Sequence, residues 1–151
     1  MNIQFDVFRK YRQLILKEIE GLTLEQLHII PAGFNNNIAW NVAHLVVTQQ
    51  LLNYKLSGLN CLCPDDLIEN FKKGTVPTVT FSEEEFEEVK DLFSGLPDTF
   101  VEDYNAGIFE NFTEYKTSAG LDLNSIDDAI TFNNFHEGLH YATIKCLKKF
   151  L

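Results

Sequence analysis

The residues of this chain best suited to chemistry lie in one short run, Phe135-His136-Glu137-Gly138-Leu139-His140. His136 and His140 stand four apart in a segment with helical periodicity. That spacing puts both imidazoles on one helix face, one turn apart. Two imidazoles so placed can share a metal ion, and neutral imidazole is the commonest protein ligand for one. The run also reads H-E-x-x-H, the pattern in which a zinc protease uses both histidines as ligands and the glutamate as general base.

The setting of the pair favours a metal. The stripe that carries it is Ile126, Ala129, Ile130, Asn133, His136, His140, Thr143, Ile144 and Leu147, largely apolar. A buried polar group without a partner costs about 1–3 kcal/mol. One buried histidine is ordinarily a hydrogen-bonded core residue, but two at this spacing need a shared partner. A protease would draw its third ligand from downstream, and Tyr141 to Leu151 contain no His, Asp or Glu. The third ligand is therefore expected upstream.

Two other histidines are available. His28 lies near a helix end beside Ile29, Ile30 and Pro31 and reads as structural or surface. His44 follows Trp40 by one turn, on a helix face shared with Asn41, Thr48 and Leu51. His44, His136 and His140 would make a three-histidine site with open positions for water or substrate. Trp40, Asn41, Thr48 and Asn133 are candidates to line the pocket beside it. Glu137 is the candidate catalytic residue, as general base. Against that role, a residue at i+1 points about a hundred degrees away around the helix, toward solvent, a second copy or a neighbouring helix.

The elements that must position these residues are helices. Phe5, Phe8, Ile15, Ile19 and Leu22 recur at helical spacing, with Arg9, Lys10, Arg12, Lys17 and Glu18 interleaved, which predicts an amphipathic helix from about residue 3 to about residue 20. Leu24 to His28 adds a further turn before Pro31 and Gly33. Asn35-Asn36-Asn37 offers N-caps for a second helix over Ile38–Leu56, closed by Ser57-Gly58. A long connection follows, with a short helix expected over Asp65–Lys73. Ser82-Glu83-Glu84-Glu85 is a capping box for a third helix, with a break or kink expected at Gly95 to Pro97 and a resumption to about Tyr104. Asn105 to Asn124 reads as irregular. Ser125-Ile126-Asp127-Asp128 starts a fourth helix that runs nearly to Leu151. Its second apolar stripe, Phe132, Phe135, Leu139, Ala142 and Cys146, is more than one four-helix core needs and suggests a homodimer.

The chain has 151 residues, 45% of them apolar, enough for one domain over 1–151 with a sizeable core. Its formal net charge of -10 argues against nucleic acid and against an anionic membrane surface. Cys61, Cys63 and Cys146 form no C-x-x-C pair and read as free thiols in a reducing cytosol. No signal peptide and no membrane span are expected, which points to a cytoplasmic protein.

The run Asn36-Asn37-Ile38-Ala39-Trp40-Asn41-Val42-Ala43-His44-Leu45 resembles the W-x-x-x-H-L segment of the DinB/YfiT-like superfamily, and His136 to His140 resembles its C-terminal H-x-x-x-H. The likeness extends over essentially the whole chain. It implies an all-α fold, a four-helix bundle of up-down-down-up topology, often dimeric. It also implies a divalent metal, zinc or nickel, on His44, His136 and His140. Some members are thiol-dependent transferases or isomerases that use low-molecular-weight thiols, and others are described as metal-dependent hydrolases. Many members continue after the last histidine with Arg-Gly-Gln, where this chain has Tyr141-Ala142-Thr143. That departure leaves the ligands untouched and changes the pocket. Two functions are therefore expected to compete: a metal-dependent enzyme that activates water or a thiol against a small molecule, and a non-catalytic bundle that binds a metal, a small molecule or another protein.

Overall fold

The computed structural model describes residues 2–151. The fold is all-α with one small hairpin. Its elements are α1 (Asn2–Ile19), α2 (Leu24–His28), α3 (Ile38–Gln50), α4 (Asp65–Phe71), α5 (Glu83–Asn105), β1 (Tyr115–Lys116), β2 (Asp122–Leu123) and α6 (Ile126–Lys148). Four of the helices are long and touch in a ring: α1 packs on α5 and α6, and α3 packs on the same two. No helix among the described residues is long and apolar enough to cross a membrane.

Local chemistry sets the helix starts. The Asn37 side chain accepts from the Trp40 amide at 2.8 Å and so begins α3. Ser82 and Glu85 form a reciprocal capping box at the start of α5, as Thr23 and Gln26 do for α2. The Ser125 hydroxyl accepts from Asp128 N–H at α6. Each such cap is worth roughly 1 kcal/mol against alanine. Gly21, at φ 78°, takes the left-handed conformation that closes α1 at little steric cost.

The expected second helix changes character near its end. Leu51–Lys55 is a π-helical turn, with the Leu56 amide donating to the Leu51 carbonyl at 3.2 Å. The wider turn brings Leu51, Leu52, Lys55 and Leu56 to one cavity. The segment expected to be irregular, Asn105 to Asn124, contains the hairpin, with Tyr115 opposite Leu123 and Lys116 opposite Asp122. The Thr113 amide ties it to the Leu56 carbonyl at 2.6 Å.

Two parts of the expectation are corrected, and the reasons are linked. The third helix does not break: α5 runs without interruption through Pro97. Proline has no N–H, so the Phe93 carbonyl, four residues earlier, loses its helical donor. Arg12 Nη1 supplies the replacement at 3.2 Å. Arg12 itself was expected among the polar residues interleaved on α1, yet it is 2% exposed. Its guanidinium forms a two-pronged ion pair with Glu137 of α6, Nη2 to Oε1 at 2.7 Å and Nε to both oxygens at 2.9 and 3.0 Å. Nη2 also donates to the Leu45 carbonyl of α3 at 2.9 Å. The planar group lies over the Phe93 ring at 4.1 Å. One α1 side chain thus bonds each of the other three long helices.

Candidate metal centre

His44 comes from the middle of α3, and His136 and His140 from successive turns of α6. The α3–α6 contact brings them together. His136 Nε2 lies 3.3 Å from His44 Nε2 and 3.1 Å from His140 Nε2. These distances have a plain meaning. Zinc–nitrogen bonds of about 2.0–2.1 Å in a tetrahedral array separate the nitrogens by about 3.3 Å. His136 therefore already stands at tetrahedral-site spacing from each of the other two, the ligand atoms of all three lie within 4.8 Å of one another, and the group could hold a metal ion.

Two of the three rings, His44 and His140, are also fixed in the right tautomer. His44 Nδ1 lies 2.6 Å from the Phe71 carbonyl, which only accepts, so Nδ1 carries the proton and Nε2 a lone pair. His140 Nδ1 lies 2.7 Å from Asn41 Oδ1. The Asn41 amide cannot be turned round, because its Nδ2 donates to the Asn37 carbonyl at 2.7 Å and to Asn36 Oδ1 at 3.0 Å. His140 is thus held with its Nε2 lone pair toward the other two rings. The Nδ1 of His136 is buried without a protein partner. Burial lowers the pKa of all three. His136 falls to about 3, with help from the neighbouring His44 and Arg12, and His140 to about 2, with help from His136 and His44. Neutral imidazoles with converging lone pairs repel one another unless a cation lies between them. The residues present fit a divalent metal.

The candidate pocket residues divide among several tasks. Thr48 lines the cavity, its hydroxyl 3.2 Å from His44 Nε2. Trp40 stacks on His44 with ring centroids 4.5 Å apart and donates its indole N–H to Thr75 Oγ1 at 3.2 Å. Asn41 orients His140 rather than lining the cavity. Asn133 is buried beside Glu137. Glu137 is fully buried, with both carboxylate oxygens occupied by Arg12 on the core side of α6. Burial pushes its carboxyl upward, opposed by the Arg12 charge and the Asn133 side chain. His28 stands apart: its Nδ1 bonds the Leu24 carbonyl at 2.8 Å and its Nε2 accepts the Phe81 amide at 3.1 Å.

A cavity of about 360 Å³ opens beside His44 and His136. Its walls are Leu51, Leu52 and Leu56 from the end of the second long helix, Phe132 from α6, and Tyr115, Thr117 and Ser118 from the hairpin. Lys55 and Lys73 complete the lining. The sequence reading missed most of these. The π-helical turn and the hairpin leave no periodic signal, although Lys55 lies eleven residues after His44, on the same helical face.

Residues 8–144 match the DinB superfamily. The chain belongs to that superfamily. The match includes all three histidines, Arg12, Glu137 and every residue that lines the cavity. No curated protein sequence matches the chain.

Proposed function

We propose that His44, His136 and His140 hold one divalent cation, zinc or nickel, and that the chain is a metal-dependent enzyme acting on a small molecule in the adjoining cavity. The observation that carries this reading is the convergence of the three Nε2 atoms, with that of His136 3.1 and 3.3 Å from the other two, beside a cavity of ligand size lined by His44 and His136. A cation there would act as a Lewis acid, lowering the pKa of a water to about 7 or that of a low-molecular-weight thiol further. The reaction class is then hydrolysis, or transfer of a thiol to an electrophilic carbon. The chain's own contributions are distinct. Phe71 and Asn41 fix the ligand tautomers, Trp40 restrains the His44 ring, and the Thr48 hydroxyl offers a hydrogen bond beside the ligands. The apolar walls keep bulk water out.

Glu137 is left out of the chemistry, because Arg12 holds both its oxygens. A zinc-protease mechanism, which needs that carboxylate as base, loses its main support. We further propose that the four long helices form a single up-down-down-up bundle domain in the cytoplasm, without nucleic-acid partners. Phe135, Leu139, Ala142 and Cys146 form an exposed α6 face suited to a homodimer.

The first test is elemental analysis of untagged protein. A single equivalent of metal is expected, lost in His44→Ala, His136→Ala and His140→Ala and retained in His28→Ala. Full retention in His44→Ala would overturn the ligand set. Metal-loaded protein should turn over small electrophiles with water or an added thiol and leave casein intact. Proteolysis abolished by Glu137→Gln would restore the protease reading.

A further inference from the structure

The charge of the cavity runs against the charge of the chain. There are 22 Asp and Glu against 12 Lys and Arg, yet no carboxylate lines the cavity, while Lys55 and Lys73 both do. Neither lysine forms an ion pair among the described residues. Both are exposed. Lys55 lies three turns along the helix from His44. Lys73 lies two residues past Phe71, whose carbonyl accepts the hydrogen bond from His44 Nδ1–H. The remaining walls are mainly leucine and aromatic rings. Two unneutralised ammonium groups at the mouth of a low-dielectric cleft concentrate anions of matching shape.

We infer that the cavity selects an anionic amphiphile: a molecule with an apolar body of one or two rings, or an equivalent chain, and a carboxylate or sulfonate held by Lys55 and Lys73. The inference rests on reading this cavity as the substrate site, but the selectivity belongs to the lysines and is present without the metal. The apolar body fills the space between the leucines and Phe132. The lysines fix which end of the molecule remains near the histidines.

The experiment uses two fluorescent probes of nearly the same apolar shape, anilinonaphthalene sulfonate and the uncharged phenylnaphthylamine. Both are titrated into chelator-treated and zinc-loaded full-length protein at low ionic strength. The sulfonate is expected to bind about tenfold more tightly than the neutral probe in both preparations, the size expected of one partly screened charge contact. Added salt should reduce that preference. Lys55→Gln/Lys73→Gln should abolish the preference while leaving the neutral probe unchanged, and Lys149→Gln should change neither. These substitutions are on exposed side chains, so folding is preserved. Unchanged sulfonate binding in the double variant would overturn the inference. So would an equal loss of both probes, or a preference that appears only with zinc, which would make the metal the anion's site. Zinc stoichiometry, measured on the same preparations, separates the two readings. A chain that binds no zinc but keeps its lysine-dependent preference would sink the metal proposal and leave this one standing.

Discussion

Replacing Arg12 with methionine should be among the most damaging single changes outside the histidine cluster, although Arg12 touches no ligand atom. The substitution keeps a similar apolar length but leaves Glu137 fully buried without its partner. Breaking a buried ion pair from one side costs about 3–5 kcal/mol. The Phe93 carbonyl also loses the donor that Pro97 cannot supply, at about 1–3 kcal/mol. The two costs overlap, since Glu137 can take up a proton when Arg12 is gone. Even the lower figure is a large share of a typical stability of about 5–15 kcal/mol. In Arg12→Met/Glu137→Leu the uncompensated charge is removed, and most of the pair-breaking cost should return. What remains is the Phe93 carbonyl. Adding Pro97→Ala to the double variant restores a helical N–H at that point and should recover about 1 kcal/mol. Urea unfolding followed by circular dichroism reads the unmodified protein, both single variants, the double and the triple. If the costs of Arg12→Met and Glu137→Leu simply add in the double variant, within about 0.5 kcal/mol, the two residues are not coupled and the account of the core is wrong.

Three other outcomes follow from the same contacts. Asn41→Ala removes the acceptor for His140 Nδ1–H and should weaken metal affinity by about 10–100-fold while leaving the fold intact, as a competition titration against a chelating dye would show. In metal-free protein the three histidines have folded-state pKa values pushed below 6.5, so the unfolded chain binds more protons once the pH falls below that value. Their contribution to stability is complete above it and is lost toward pH 3, by up to about 1.4 kcal/mol per pH unit for each; urea midpoints that hold level from pH 7 to 5 in chelator would contradict this. Leu139→Glu, on the exposed face of α6, should turn the proposed dimer into a monomer by light scattering without loss of bound metal.

The parts of the molecule legible in its sequence are those written in short-range chemistry. The caps at Asn37, Ser82 and Ser125, the stripe of α6 and the turn at Leu24–His28 all depend on neighbours within a few residues, and all stand where the pattern puts them. The gathering of His44 with His136 and His140 was legible because each lies on a stripe that had to face inward. What escaped depends on partners far along the chain. Pro97 looks like a break until an arginine from another helix satisfies the carbonyl it strands. Arg12 looks like surface because it is charged, although it lies four residues after Phe8 and three before Ile15, on the apolar stripe itself. That position was the available signal, and residue type concealed it. The π-helical turn and the two-residue strands of the hairpin are too short and irregular for periodicity to report them.

The run H-E-x-x-H therefore has two meanings in one helix. Residues 136 and 140 face α3, with His136 also on the cavity, and their lone pairs converge with that of His44. Residue 137, about a hundred degrees around the axis, faces the core, where it needs a guanidinium. In a protease the glutamate must reach the metal's water. Here the geometry of a packed helix turns it away from the histidines into the core, and Arg12 spans α1, α3 and α5 to meet it. On the reading proposed above, the glutamate's part is one of position: the buried ion pair with Arg12 would fix the rotation of α6 about its axis, and with it the direction in which both histidines point. A motif match alone could not tell a base from an anchor. The distinction lies in where each side chain's hydrogen bonds go, and the Glu137 carboxylate bonds Arg12 and Asn133, both buried in the core.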